Sequence, residues 1–335
     1  LRFYTQRRFG EVERMARALT VRFPLHGFGW KVLAAALLEQ QRATEALDPV
    51  QKAVALLPGD PEVHNSLGLV FSGLRRFREA EASLRRAIEL KPDFPDAHSN
   101  LGVLSKNQGR LIEAEACWRR VLANYPDRAD TLNNLGFICL DQGRHAEAEV
   151  RLRRALELQP NFTPAHCSLL FLMNYHPDRS AEEIFAAYRD YDQRFGVPHR
   201  SAWRDHTNNR DPMRRLKVGY VSPDFRNHSV RHFLEPLLAH HDRQAVEVHL
   251  YAELDSEDEM SRRYRTYADH WIPTLGLSDA ALAERIRADG IDVLVDLAGH
   301  TASNRLPAFA RKPAPVSVSW LGYGYTTGLT AIDYL

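Results

Sequence analysis

Cysteine is scarce in this 335-residue chain: only Cys117, Cys139 and Cys167. The number is odd and no pair has C-x-x-C spacing, which argues against a disulfide framework or a zinc cluster. Such usage fits a reducing compartment, so a cytoplasmic location is expected. No apolar run is long enough for a membrane-spanning helix, and no secretory leader pattern opens the chain, so no membrane partner is expected. A surplus of one charge is also missing. The 44 basic residues stand against 43 acidic ones, a formal net charge of +1. Nucleic-acid binders carry a basic excess or stripe. Here arginines are interleaved with glutamates, as in Arg75–Arg76–Phe77–Arg78–Glu79, and mixed pairs on solvated helix faces account for that pattern. No nucleic-acid partner is expected.

What is present is a folded composition, 44% hydrophobic and 26% charged, over a length that favours two domains. The first shows a strict period. Pro24, Pro58, Pro92, Pro126 and Pro160 are each 34 residues apart. Ala46, Ala80, Ala114 and Ala148 keep the same step, as do Ala53, Ala87, Val121 and Ala155. So do the pairs Leu67–Gly68, Leu101–Gly102 and Leu135–Gly136. This is the tetratricopeptide pattern. Small residues fall where two helices cross, and proline ends the second helix because it cannot donate to the ladder. Gly109 and Gly143 sit at the turn between helices. Repeats are expected over 27–60, 61–94, 95–128 and 129–162, with 1–26 the remnant of an earlier one. The unit from Thr163 loses the pattern, as a cap or domain junction does. The array therefore spans 1–162 and the junction 163–196.

Stacked helix pairs form a superhelix with a concave groove. Ser66, Asn100 and Asn134 share repeat position 6 on the groove side. An Asn amide can bond a peptide backbone bidentately, so this row is a candidate acceptor-peptide site. The alternative is that these side chains satisfy local helix ends.

From 197 to 213 the sequence is polar and irregular, as in a linker. Beyond 214 the period changes. Strands are expected at Leu216–Val221, Val246–Ala252, Asp292–Ala298 and Val316–Leu321, with helices at Val230 to about His241 and at Leu282–Asp289. Alternation of this kind implies a parallel α/β sheet, whose ligands bind beyond the carboxyl ends of the strands. No G-x-G-x-x-G follows the first strand, which argues against a dinucleotide dehydrogenase.

Three strand ends carry candidate chemistry. Asp224–Phe225–Arg226–Asn227–His228 precedes a helix start, where free N–H groups and the positive dipole end favour a pyrophosphate. Ser229 is the expected N-cap. His228 can relay a proton or neutralise a leaving phosphate, or be incidental to a capped loop. His300 follows Gly299 beside Thr301 and is a loop histidine or a ligand contact. Gly322 to Gly328 is glycine-rich, as backbone approaching a sugar requires. His166, on the first helix of the degenerate unit, is otherwise a structural helical histidine.

The segments Arg215 to His228 and Arg311 to Tyr323, below tetratricopeptide repeats, resemble the protein O-GlcNAc transferases. The resemblance implies an α-solenoid followed by a GT-B glycosyltransferase with two Rossmann-like lobes, of which 214–335 is the first. It implies metal-independent, inverting transfer of GlcNAc from UDP-GlcNAc to protein Ser or Thr, with no cofactor beyond the nucleotide sugar. By position, His228 and Asp224 match the family's D-F-x-N-H segment. His228 would meet the sugar or pyrophosphate, and Asp224 is a candidate proton acceptor. His166 matches an active-site histidine at the end of the repeats. Leu169, Leu170, Ser229, Val230, His300, Thr301, Gly322 and Tyr323 would surround the donor. Arg226, Ser229–Val230 and Gly324–Tyr325 depart from the family pattern, which bears on the donor sugar. A second lobe, needing on the order of 100–200 residues, is expected beyond Leu335. Other readings are a related protein glycosyltransferase using GDP-fucose or a UDP-hexose, and a non-enzymatic repeat scaffold.

Overall fold

The computed structural model of the chain describes residues 8–335. Two compact units divide between Gln159 and Pro160. The degenerate repeat at 163–196 therefore belongs with the α/β lobe. Of the remnant expected at 1–26, residues 1–7 lie outside the described residues.

The first unit is a run of antiparallel helices: α1 (Phe9–Arg22), α2 (Gly27–Glu39), α3 (Ala43–Leu56), α4 (Pro61–Gly73), α5 (Phe77–Leu90), α6 (Pro95–Asn107), α7 (Leu111–Asn124), α8 (Ala129–Asp141) and α9 (His145–Leu158). Helix starts at 27, 61, 95 and 129 keep the 34-residue register. Ala46, Ala80, Ala114 and Ala148 are wholly buried. A Cβ on Gly68, Gly102 or Gly136 would lie within 3 Å of Leu84, Trp118 or Leu152 respectively, so the Leu-Gly pairs mark close helix crossings. The turn between the helices of a repeat is left-handed at residues 41, 75, 109 and 143. Glycine supplies that conformation at Gly109 and Gly143, whereas Gln41 and Arg75 adopt it with a side chain. The residue after it closes a 6→1 bond typical of helix C-termini, as in Arg76 N–H to Phe71 O at 2.8 Å.

Repeat position 4 carries a second device. His64 and His98 direct Nε2 to the carbonyls of Pro58 and Pro92, at 2.9 Å in each case. Trp30 donates Nε1–H to Pro24 O at 2.8 Å. Proline ends the preceding helix, and a ring N–H six residues on satisfies its carbonyl.

The second unit opens with α10 (Thr163–Tyr175) and α11 (Ala181–Tyr191), the latter started by a Ser180–Glu183 capping box. A π turn at Asp192–Gly196 and a 3-10 turn at Val197–Ala202 follow. The stretch expected to be a linker is bonded along the lobe. Trp203 Nε1–H donates to Ala310 O at 2.9 Å, and Asn208 Nδ2–H to Asp292 Oδ1 at 2.6 Å. Then come β1 (Leu216–Ser222), α12 (Arg231–Ala239), β2 (Val246–Ala252), α13 (Glu259–Tyr267), β3 (His270–Pro273), α14 (Asp279–Asp289), β4 (Val293–Asp296), the short α15 (Leu306–Phe309) and β5 (Val316–Ser319). The sheet is parallel throughout, in the order β3-β2-β1-β4-β5. Tyr220 and Val221 turn to opposite faces, each into its own apolar cluster. β3 and α13 are not among the elements expected from the sequence.

This is a Rossmann half, and its strand order reverses between β1 and β4. Ligands of such sheets bind beyond the carboxyl ends at that point. The loops after Ser222 and Asp296 are the ones that flank it.

Candidate active site

The loop from β1 to α12 is pinned at both ends. Ser222 Oγ accepts Asp224 N–H at 2.9 Å, and Phe225 is fully buried against Tyr264 and Trp271. Asn227 N–H donates to Asp258 Oδ2 at 2.8 Å. Between these anchors, the carboxylate of Asp224 lies between a guanidinium and an imidazole. Arg226 Nη2 is 3.3 Å from Oδ1 and His228 Nδ1 is 3.8 Å from Oδ2. Asp224 is buried, and 41% of the His228 side chain is exposed. One residue thus holds charge inside while the other faces outward. Val230 N–H approaches His228 Nδ1 at 3.4 Å, which leaves Nε2 as the outward atom.

The start of α12 differs from expectation. Its N-cap is Val230, with no side-chain cap bond, so Ser229 does not cap it. The N–H groups of Arg231, His232 and Phe233 are taken by the carbonyls of His228, Ser229 and Val230. A tight turn consumes the donors that a bare helix start would offer an anion. Val230 is buried in the apolar cluster under the sheet and has only backbone to show a ligand.

The loop after β4 is organised by Asp296, which is not among the site residues expected from the sequence. Asp296 is fully buried, accepts N–H from Ala298 at 3.1 Å and Gly299 at 2.9 Å, and takes the Ser319 hydroxyl at 2.9 Å. Burial raises its carboxyl above the usual range, and these three donors act against that rise. A carboxylate ending an apolar strand, Val293–Leu294–Val295–Asp296, was the available signal. Gly299 has φ +54°, and a Cβ there would sit 2.2 Å from Tyr323 Cβ. A Cβ on Gly322 would lie 1.7 Å from Leu297 O, so the loops after β4 and β5 are in backbone contact.

His300 is neither a surface residue nor an open ligand contact. It is 3% exposed, with Nε2–H on Thr327 O at 2.8 Å and Nδ1 facing the Cys167 thiol at 3.3 Å. Tyr191 meets its ring edge-on at 4.6 Å. Desolvation brings its pKa down to about 4, against a partial rise from the Thr327 carbonyl. His300 therefore ties the glycine-rich loop 322–328 to the β4 loop and to α10. Thr301 Oγ1–H donates to Ala298 O at 2.8 Å. Tyr323 is buried too, its hydroxyl shared with Tyr188 at 2.5 Å and Asn174 at 2.9 Å. Leu170 packs in the same cluster, and Leu169 is buried beside it on α10.

His166 donates through Nε2 to Pro160 O at 2.8 Å, the same repeat-position-4 bond as His64 and His98. Its ring meets Phe195 at 5.1 Å, and burial lowers its pKa. Nδ1 is the atom left for chemistry. Among the described residues, no hydrogen bond or ring contact joins His166 to His228. The structure thus pairs Asp224 with His228, and groups Leu170, His300 and Tyr323 around Cys167.

In the first unit, Ser66 and Asn100 line a cavity of about 410 Å³ with Lys31, Asn65 and Asp130. Asn100 Nδ2–H donates to Asn65 Oδ1 at 2.9 Å, so half of its amide is already engaged by the neighbouring repeat. Asn134 is half-buried one repeat further on and does not line that cavity. Among the described residues, no helix is long and apolar enough to cross a membrane.

Tetratricopeptide-repeat models match residues 1–61 and 93–161. A "Probable UDP-N-acetylglucosamine--peptide N-acetylglucosaminyltransferase SPINDLY" of Arabidopsis thaliana is 38% identical over 184 residues, 53% of this chain and 20% of the relative. A UDP-N-acetylglucosamine--peptide N-acetylglucosaminyltransferase of Caenorhabditis elegans is 37% identical over 123 residues, 36% of this chain and 11% of the relative. Among solved structures, an O-GlcNAc transferase mutant of Thermobaculum terrenum superposes with a TM-score of 0.77 at 35% identity, covering 82% of this chain and 52% of that one. The chain thus spans about half of that solved relative and a fifth or less of these curated ones. The Glycosyl transferase family 41 model matches residues 158–335, the whole switch-point lobe with its preceding helix pair, and the chain belongs to that family.

Proposed function

We propose that this chain supplies the repeat groove and the first nucleotide-sugar lobe of a protein O-GlcNAc transferase. In this reading GlcNAc moves from UDP-GlcNAc to a Ser or Thr hydroxyl, with inversion at the anomeric carbon and without a metal. The acceptor is an extended peptide in the groove lined by Ser66 and Asn100, continuing toward Asn134. A second Rossmann lobe completes the donor cleft.

The observation that carries the reading is the Asp224–His228 pair, an outward imidazole beside a buried carboxylate at the switch point of a family 41 lobe. Ionised Asp224 stabilises positive charge on His228. An imidazolium at that point offsets charge building on the leaving diphosphate, and the neutral ring can accept a proton. Asp224 itself is held from direct contact by its burial, so its part is to orient and charge the ring. His166 acts through Nδ1, since Nε2 is committed. Gly322 presents backbone to the sugar, and His300 and Tyr323 hold that backbone in place.

The test is transfer by the polypeptide that carries both lobes, using radiolabelled UDP-GlcNAc and a Ser-rich acceptor peptide. His228→Ala is expected to lower kcat by about 10²-fold or more with little change in thermal stability. Undiminished transfer by that variant removes the reading. Arg226, paired to Asp224 where the family has a small residue, favours one second reading: a different donor sugar. Faster transfer from GDP-fucose or a UDP-hexose than from UDP-GlcNAc, in the same assay, would establish it.

A further inference from the structure

Opposite the switch point, at the amino edge of the sheet, lies a cluster that the transfer chemistry does not use. Glu247, His249 and Tyr251 alternate along β2 and so share one face. His270 opens β3 directly opposite His249 in the parallel register. His249 Nε2 and His270 Nε2 approach the same atom, Glu247 Oε1, at 2.9 and 3.2 Å. The two rings are 4.3 Å apart, tilted by 30°. Ligand atoms of all three residues fall within 4.8 Å of one another.

Tetrahedral bonds of about 2.0–2.1 Å place neighbouring ligand atoms roughly 3.3 Å apart. Both nitrogen–oxygen separations lie within about half an ångström of that spacing. The side chains are held ready by the sheet itself. His249 is 4% exposed, and its Nδ1 has no hydrogen-bond partner. The cluster opens on a cavity of about 330 Å³, also lined by Lys217, Arg285 and Asp289, with room for a further ligand. The charges around it are mixed. Lys217 Nζ is 4.0 Å from Glu247 Oε1 and donates to Asp289 O, while Arg285 is paired with the Asp289 carboxylate.

We propose that Glu247, His249 and His270 bind one divalent transition-metal ion of the zinc class through two imidazoles and a carboxylate. Two nitrogen ligands disfavour calcium and magnesium, which take oxygen donors. The ion clips the edge strand β3 to β2 and is a structural element, at the opposite end of the sheet from Asp224 and His228.

The experiment titrates the full chain with Zn²⁺ against a chromophoric chelator and follows Co²⁺ substitution by visible absorption. One equivalent is expected to bind and to raise the melting temperature. Half of the His270 side chain is exposed, so His270→Ala is expected to fold while losing affinity about tenfold or more. Glu247→Gln, which keeps shape, is expected to do the same. His26→Ala, at an exposed histidine of the repeat unit, leaves binding unchanged. Binding of equal stoichiometry and affinity in His270→Ala and Glu247→Gln overturns the proposal, as does a wild-type chain that takes up no Zn²⁺.

Discussion

At the scale of single residues, burial decides what each candidate does. His300 is the sharpest case, because its folded pKa of about 4 lies below the 6.5 of a free imidazole. Between those values the unfolded chain binds more protons than the folded one. Stability is therefore complete above about pH 6.5 and is lost as pH falls through that window, by about 1 kcal/mol between pH 7 and 5.5. Urea unfolding at a series of pH values measures it. His300→Asn is expected to be less stable at pH 7.5 but flatter with pH, and an unchanged slope would show that other buried imidazoles carry the effect. His166 permits a cleaner separation. Its bond to Pro160 O is the one that His98 makes to Pro92 O, and losing such a bond costs about 1 kcal/mol. His166→Ala and His98→Ala should then lower stability about equally. Any loss of transfer specific to His166→Ala reports the chemistry of Nδ1. These distinctions were not legible in the sequence. A histidine after a strand reads the same whether the fold turns it outward, as with His228, or encloses it, as with His300.

At the scale of elements, close approach rather than propensity sets the constraints. A Cβ on Gly68 or Gly136 would meet the branched end of Leu84 or Leu152, which can rotate away. On Gly102 it would meet the Trp118 indole 2.6 Å away, and that ring is fully buried and bonded to Ser99 O. Gly102→Ala should therefore cost more than Gly68→Ala or Gly136→Ala, by about 1–3 kcal/mol of overpacking, as read from thermal melts of the repeat unit. The repeats were legible because every unit reuses these contacts at one spacing, so each repeat corroborates the next. The lobe was less so. β3 is four residues, His270–Pro273, at the sheet edge, with two exposed positions and a closing proline. Too short for an alternating pattern, it is defined by pairing with β2. Arg-rich α13 buries only Met260, Ser261 and Tyr264, too few to mark a period. The strand ends that frame the candidate site did show in the sequence. Its inner bracing by Asp296, Asn174 and Tyr188 did not, because those partners are distant in the chain.

At the scale of the whole molecule, the repeat unit is a one-dimensional chain of interfaces, and these are not alike. Arg42, Arg110 and Arg144 each reach back to a glutamate of the preceding repeat, Glu13, Glu81 and Glu115, at 2.6–2.7 Å. The fourth member of the row, Arg76, has Leu47 where that glutamate would be. It stacks on Phe71 at 4.4 Å instead, and Leu47 packs into the apolar clusters of two adjoining repeats. In this row three junctions carry a half-exposed ion pair and one an apolar contact, although Lys31 Nζ, 2.7 Å from Glu62 Oε2, also crosses that junction. Exposed pairs contribute about 0.2–1 kcal/mol each and are screened by salt, while apolar burial is not. Raising ionic strength to about 1 M, where the screening length shrinks to about 3 Å, should loosen the contacts of Arg42, Arg110 and Arg144 and affect the apolar packing of Leu47 less. Hydrogen exchange resolves this by segment: protection should fall most with salt at α7, which the row pairs on both sides through Arg110–Glu81 and Glu115–Arg144, and less at α5, which it pairs on one side only through Glu81. Glu81→Gln should lessen the salt response at its own junction, where Arg85 and Glu113 still pair at 2.8 Å, and not elsewhere, whereas a uniform loss along the array would mean that the repeats open as one unit and that the ion-pair row has no local effect.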